Sequence, residues 1–557
     1  MAARRITLHG CSMVLLLSIT GFAAADRVDL RLVEAVQKRD KAAVRSLLTQ
    51  HPDVNARQSD GATALHWAAH WDDLETADLL IRAGAKAGAA NDYGVTPLSL
   101  ACTNGSAAMV EKLLNAGANP NAALPSGETA LMTCSRTGNV DAVRALVARG
   151  ADVNARESEQ GQTALMWAAA QKHPGVAKLL IEHRADFRAR SKTGFTPLLF
   201  AARVGDIDTA KVLLESGADV NEATPAAAPA KPAAPKTVPD NSKNGGAATP
   251  PAAEPQAGGI AGYSFPASDR APGGMSALLM ATASGREALA IFLLEKGADP
   301  NAADSFGATA LHYAMEKGIA AINGISFANY VAHVFRPSMS ELVKALLEHG
   351  ANPNVRLVKS PPLGGRGGAG AVGATPYLLA AASGDASLMR LLASHGADPL
   401  VATKRKLTPL MAASGVSRGQ DFTEEEKKTG LEAAKVAVEL GSDVNAANED
   451  GLTALHGASV NGANGIIQFL AEHGAKLDAK DKYQQTPLSI ASGIRLPWIP
   501  KGEELGEIIQ KSTEELLLKL GATPLSTPGY FTRMGEDTEV YRMNPKSETV
   551  PGLTTSQ

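Results

Sequence analysis

The sequence predicts an all-α solenoid of about twelve helix-turn-helix units, and three observations predict it. Near-identical stretches open at Gly61, Gly94, Gly127 and Gly161, at intervals of 33, 33 and 34 residues. Thr-Pro pairs stand where first helices should begin: Thr96-Pro97, Thr196-Pro197, Thr375-Pro376, Thr408-Pro409 and Thr486-Pro487. The threonine hydroxyl caps the helix, and proline suits the first turn because its missing N–H would have no partner there. Gly84, Gly117, Gly150, Gly217, Gly297, Gly350, Gly396, Gly441, Gly474 and Gly521 close apolar second helices, where a left-handed cap favours a residue without Cβ. Leucine pairs such as Leu79-Leu80 and Leu293-Leu294 mark a face that must be covered. One helix pair cannot bury both of its sides, so each unit depends on its neighbours.

Taken in order, residues 1–25 read as a cleaved signal segment. Arg4 and Arg5 form a positive start, Met13 to Ile19 a short apolar core, and Ala23-Ala24-Ala25 a small-residue cleavage site. The Arg-Arg pair keeps a twin-arginine route open. The apolar run is too short to span a bilayer. Export to the periplasm or the extracellular space is the expectation. Residues 26–60 form an N-terminal capping helix pair, in which Arg31, Glu34, Lys38 and Arg39 replace apolar residues. A first block of repeats occupies 61–223. Residues 224–272 are rich in Pro, Ala and Gly, too poor in apolar bulk to pack, and are expected to be disordered.

Neither edge of that segment is polarised like a cap, so the blocks on its two sides are expected to stack, with the segment looping out from a hairpin tip. The second block covers 273–523, with insertions at 319–338, 357–372, 416–430 and 494–506. The first is apolar enough to add a helix carrying Phe327, Tyr330 and Phe335; the charged SRGQDFTEEEKKTG reads as a solvated loop. A tail fills 524–557.

Composition narrows the function. Apolar residues make up 45% of the chain but aromatics only 4%, so the core is built of Ala, Leu and Val. With 54 basic and 57 acidic residues the net charge is −3, and no basic surplus points to nucleic acid. Cys102 and Cys134 sit on adjacent first helices. Packed helices lie about 8–10 Å apart, beyond the reach of a disulfide, so two buried free thiols are expected.

The Thr-x-Leu-His opening of GATALHWAAHWDDLETADLLIRAGAKAGAAND, its variants at Gly94, Gly127 and Gly161, and the period of about 33 resemble the ankyrin-repeat family over most of the chain. The resemblance implies a monomeric, non-catalytic solenoid that binds a protein partner through the concave face of its first helices and its hairpin tips. It also implies that His66, His312 and His456, in the Thr-x-Leu-His slot, are hydrogen-bonding struts between units.

The residues themselves give little sign of bond chemistry. His183, His349, His395 and His473 end second helices one per unit, where a donor meets orphan carbonyls and the helix dipole. No metal-ligand spacing occurs, so no metal and no cofactor are expected. GGRGGAG at Gly364 to Gly370 lacks the Lys-Ser/Thr of a phosphate loop and reads as a flexible insertion. The candidate docking residues follow the Ala-Ala of each first helix (His70, Trp71, Asn104, Arg136, Gln171, Arg203, Glu316) or stand at hairpin tips (Tyr93, Phe195, Phe306, Tyr483). Trp, Tyr and Arg dominate interface energetics. Trp67 and Trp167 read as packing residues. Two other readings stay open: an exported effector, or an accessory subunit of an envelope enzyme whose site is built from the C-terminal insertions.

Overall fold

The computed structural model describes residues 29–225, 272–315, 339–359, 371–416, 422–492 and 510–525, together with the backbone of 530–532 and 540–542. The leader, Glu316, and all or most of the insertions at 224–272, 319–338, 357–372 and 494–506 lie outside these residues, as does most of the tail. Two compact units divide the chain between Asp186 and Phe187.

Among the described residues the first unit holds ten helices, α1 (Arg31–Gln37), α2 (Lys41–Leu48), α3 (Ala64–His70), α4 (Leu74–Arg82), α5 (Pro97–Thr103), α6 (Ala107–Asn115), α7 (Ala130–Thr137), α8 (Val140–Ala148), α9 (Ala164–Ala170) and α10 (Pro174–Glu182). Odd-numbered helices pack in one row and even-numbered helices in a second. The second unit repeats the plan with α11 (Pro197–Val204), α12 (Ile207–Glu215), α13 (Ala277–Ala283), α14 (Glu287–Glu295), α15 (Ala310–Ala314), α16 (Ser340–Glu348), α17 (Pro376–Ser383), α18 (Ala386–Ser394), α19 (Pro409–Ala413), α20 (Glu424–Glu439), α21 (Ala454–Val460), α22 (Asn464–Glu472), α23 (Pro487–Ala491) and α24 (Lys511–Leu520). The described residues therefore hold twelve helix pairs in an all-α repeat solenoid. Two short strands, β1 (Tyr530–Thr532) and β2 (Val540–Arg542), pair antiparallel in the tail.

Capping follows the local chemistry. Thr96, Thr129, Thr163, Thr196, Thr375, Thr408 and Thr486 each accept the N–H of the third helical residue on their hydroxyl. All ten glycines after the second helices are left-handed, with φ between 83° and 103°. In the repeat opened by Gly161 the position is Arg184, which takes the same conformation at φ 69°.

Two sets of hydrogen bonds tie repeats to their neighbours. His66 accepts the Thr63 N–H on Nδ1 (3.1 Å) and donates from Nε2 to the Val95 carbonyl (3.0 Å). His312 and His456 do the same, donating to Ala374 O and Gln485 O. A carbonyl can only accept, so Nε2 carries the proton and the ring is neutral. The second set is an asparagine ladder. Asn55 Nδ2 donates to Gly84 O (3.1 Å) while its Oδ1 accepts the Lys86 N–H (2.8 Å). Asn121, Asn154, Asn221, Asn301, Asn354 and Asn445 make the same two-pronged contact with the following repeat. Each one satisfies a carbonyl and an N–H at a helix end that intrahelical bonding leaves open.

The Asn221 rung joins the repeats on either side of the Pro/Ala-rich segment: Nδ2 reaches Gly297 O (3.3 Å) and Oδ1 accepts Asp299 N–H (2.7 Å). α11 packs on α13, Arg286 Nε donates to Arg203 O (3.2 Å), and Ala223 bridges to Ser276. Thr224 belongs to that hairpin: it is buried, donates to Pro272 O and accepts Met275 N–H.

Two sequence expectations are corrected. Cys102 and Cys134 form a disulfide between α5 and α7, with their Cα atoms 4.6 Å apart. Axis separation is the wrong measure, because residues facing each other across a close helix interface stand nearer than the axes do. Part of the charged 416–430 segment is helix, not loop. Thr423 and Glu426 form a capping box (Thr423 N–H to Glu426 Oε2 3.0 Å, Glu426 N–H to Thr423 Oγ1 3.2 Å), and three glutamates in the first turn suit the helix dipole. Gly430 lies inside α20, where a Cβ would stand 3.0 Å from Ala413 O. It lets the helix pack close to α19.

Replacing Asn301 with Ala removes both prongs of one rung and is expected to lower unfolding free energy by about 1–2 kcal/mol, read by urea titration. Burial pushes the imidazoles of His312 and His456 down to about 4. Because the ordinary value is near 6.5, their contribution is full above that pH. It falls away as the pH drops toward about 4, by on the order of 3 kcal/mol for each ring. The double substitution His312→Gln/His456→Gln, compared with the parent by urea unfolding at pH 7.5 and 4.5, should flatten that difference.

Candidate functional site

On each first helix the residues four, seven and eight places after the capping position share one face, since they are spaced as i, i+3 and i+4. In the first unit this face is open. It carries Trp67, His70 and Trp71 on α3, Asn104 at the end of α5, Arg136 on α7, and Trp167 and Gln171 at α9; His70, Asn104, Arg136 and Gln171 are exposed. In the second unit most of the same face is closed, Arg203 and Val460 being half-buried. Phe200, Val204, Met280, Ser284, Tyr313 and Leu379 are all buried. One covering element is visible. Val416 and Phe422, at either end of the 417–421 gap, are buried, and a Cβ at Gly457 would stand 2.7 Å from Val416. The chain's own insertion thus occupies the place on α21 that Trp67 holds on α3.

The structure treats the sequence candidates unequally. Trp71 stacks on Trp67 (6.3 Å between centroids, 26° between planes), and His70 meets Trp71 edge-on at 4.5 Å. The Arg39 guanidinium lies 4.4 Å from the Trp71 centroid. Arg136 covers Trp167 in the same way at 5.3 Å. Trp67 Nε1 donates to Gln58 Oε1 (2.8 Å), whereas Trp71 Nε1 and Trp167 Nε1 are buried without a hydrogen-bond partner among the described residues. Trp67 and Trp167, read from sequence as packing residues, are half-buried and belong to the same aromatic–cationic surface. Tyr93 is 69% exposed at its hairpin tip. Gln171 closes α9.

Others are spoken for. Asn104 Nδ2 donates to Ala69 O (3.0 Å) and His70 O (2.8 Å), finishing the C-terminus of α3. Phe195 is a correction: it is 6% exposed and packs on Phe200 at 5.4 Å, so its ring is core. Arg203 lies over Phe200 at 5.0 Å, half-buried, and burial pushes its guanidinium below the usual value. Phe306 is half-buried, and its carbonyl accepts Val358 N–H (2.8 Å). Tyr483 is half-buried with Lys482 Nζ 5.0 Å from its centroid. Arg39, on the cap, was missed by sequence reasoning. The signal was its place two residues beyond a first helix, level with the end of α3.

Two titratable groups that stand out are tied into the fold. Asp304 is buried; it accepts Tyr313 Oη (2.6 Å) and the N–H groups of Phe306 and Ala308, and burial raises its carboxyl. Ser394 Oγ touches His395 Nδ1 at 3.2 Å, but that nitrogen also donates to Leu391 O (2.9 Å) at the end of α18. No cluster of three or more His, Cys, Asp or Glu suited to a metal occurs among the described residues. No helix there is long and apolar enough to cross a membrane.

Comparison with known proteins agrees with this geometry. The family model for ankyrin repeats (3 copies) matches residues 32–124, 91–157, 109–191, 131–224 and 426–495, and the model for a single ankyrin repeat matches 273–305. Together these spans cover just over half of the chain. Mouse ankyrin repeat and SOCS box protein 16 is 32% identical over 117 residues, 21% of this chain and 25% of that protein. The mouse B-cell lymphoma 3 protein homolog is 34% identical over 97 residues, 16% of this chain and 22% of that protein. The chain thus spans about a quarter or less of each relative.

Proposed function

From the premise that the chain belongs to the ankyrin-repeat family, we propose a non-catalytic protein-docking module that works outside the cytoplasm, in the periplasm or the extracellular space. Ankyrin repeats are protein–protein interaction modules. The finer reading is that the partner docks on the first-helix face of the first unit. One observation carries it: that face is open and lined by Trp71, His70, Arg136 and Trp167, while most of the equivalent face of the second unit is filled by the chain itself. Aromatic and arginine side chains presented together are the composition of interface hot spots.

Export is supported by two features from opposite ends of the argument. The first is the leader, with Arg4-Arg5, a short apolar core and Ala23-Ala24-Ala25. The second is the Cys102–Cys134 disulfide, a bond that persists in oxidising compartments and is rare in reducing ones.

Crosslinking and affinity capture with the full chain test the docking reading. Trp71→Ala combined with Arg136→Ala should lose at least about tenfold of the recovered partner, on the scale of a hot-spot truncation, with an unchanged circular-dichroism spectrum. Equal recovery would place the docking surface elsewhere. Mass spectrometry of the protein recovered from its native host should show Asp26 at the N-terminus, with Cys102 and Cys134 resistant to alkylation until reduced. An intact leader with two freely alkylated cysteines would refute export.

A further inference from the structure

We propose that the open face of the first unit reads carboxylates: its partner is an acidic, extended polypeptide segment with interspersed apolar side chains, gripped by Arg39 and Arg136. This rests on the reading of that face as a docking surface and names the chemistry of what docks.

The argument starts from how the arginines are placed. Several other arginines meet acids: Arg57 bonds Asp92 (2.9 Å), Arg390 holds Glu439 through both terminal nitrogens (2.9 and 2.7 Å), and Arg405 bonds Asp450 (2.7 Å), while Arg149, Arg286 and Arg356 donate to backbone carbonyls. Arg39 and Arg136 do not. Each is exposed, each lies over an indole, and neither guanidinium meets a carboxylate among the described residues. A guanidinium laid on a ring keeps its N–H donors in a fixed plane, a geometry that matches the two oxygens of a carboxylate. The ring immobilises the cation before any ligand arrives, so less entropy is lost when it binds.

The surrounding charges leave that role open. Glu34, on the cap, is engaged by Lys38 (3.5 Å), and Glu128 accepts the Thr133 hydroxyl (2.8 Å). At the turns that follow α3 and α9 stand Asp72 and Lys172, both exposed, so the acids Glu34, Asp72 and Glu128 stand among the cations Lys38, Arg39, Arg136 and Lys172. Between the forks, Leu100 and the edges of Trp67 and Trp167 are half-buried. They offer apolar contact to side chains that alternate with the acids.

Phosphate chemistry fits less well. The chain carries 57 acids against 54 bases, and the indole faces on which bases would stack are those the guanidiniums cover.

The test uses the full chain carrying Trp498→Phe, which leaves Trp67, Trp71 and Trp167 as its three tryptophans. Fluorescein-labelled (Glu-Leu-Glu-Phe)4, its lysine counterpart and a (dT)20 oligonucleotide serve as probes, read by anisotropy and by tryptophan emission. The glutamate peptide should bind and perturb emission, and its affinity should fall with added salt. Arg39→Glu with Arg136→Glu should weaken it by about tenfold or more, while Arg390→Glu should leave it unchanged, all with matching circular-dichroism melts. Absent binding of the glutamate peptide, equal binding of either other probe, or indifference to the arginine reversals would overturn the carboxylate assignment. Whether this face docks a protein at all is decided separately, by the Trp71→Ala/Arg136→Ala capture experiment.

Discussion

Each helix pair in this chain leaves polar backbone unfinished, and the neighbouring repeat finishes it. The asparagine ladder is the clearest instance. A side-chain amide from one hairpin caps the glycine carbonyl and the following N–H of the next repeat, and the buried imidazoles do the corresponding work at the start of first helices. An unpaired buried backbone group costs as much as a lost hydrogen bond. A repeat of this kind is therefore not a stable object alone, and order passes along the chain by contact. At two places where the asparagine is missing, other groups appear: Arg188 donates to Gly217 O in the second unit (3.1 Å), and Asp478 accepts from Thr523 near the end of the described chain.

That regularity frees one face of each first helix from structural duty, and the two units use the freedom differently. In the first it is left to tryptophans, histidine and arginine. In the second most of it is consumed, by Phe200 and Phe195 under Arg203 and by Val416 over Gly457. The disulfide between α5 and α7 lies beneath the open face, so the helices that present Asn104 and Arg136 are covalently joined. A docking surface spread over several repeats gains from such joining, because relative motion between repeats would blur its spacing.

Much of the fold was legible before any coordinates. Thr-Pro steps mark helix starts because hydroxyl capping and the missing proline N–H are local facts. The ten left-handed glycines were legible for the same reason. The site was legible only in part. Trp71 and Arg136 were identified by their register on the helix, but the same register led to Arg203, which is half-buried, and a hairpin-tip position led to Phe195, which is core. Register says which way a side chain points and not what stands opposite. The helix over 416–430 was misread although Thr423-x-x-Glu426 is a sequence-level signal, because the density of charge was given more weight than the cap.

What the sequence by itself determined is everything whose cause lies within about one repeat: period, caps, turns, the identity of the strut histidines, and the all-α class that follows from them. What only the tertiary structure decided is what happens between chain segments distant in sequence or across a packed interface. The Cys102–Cys134 bond, the stacking of Arg39 on Trp71 from two different repeats, and the burial of one inner face but not the other are of this kind. The physical reason is that capping and turn energies are fixed by near neighbours along the chain. Exposure, ring stacking and thiol proximity depend on separations of a few ångströms between surfaces that meet only once the repeats have packed.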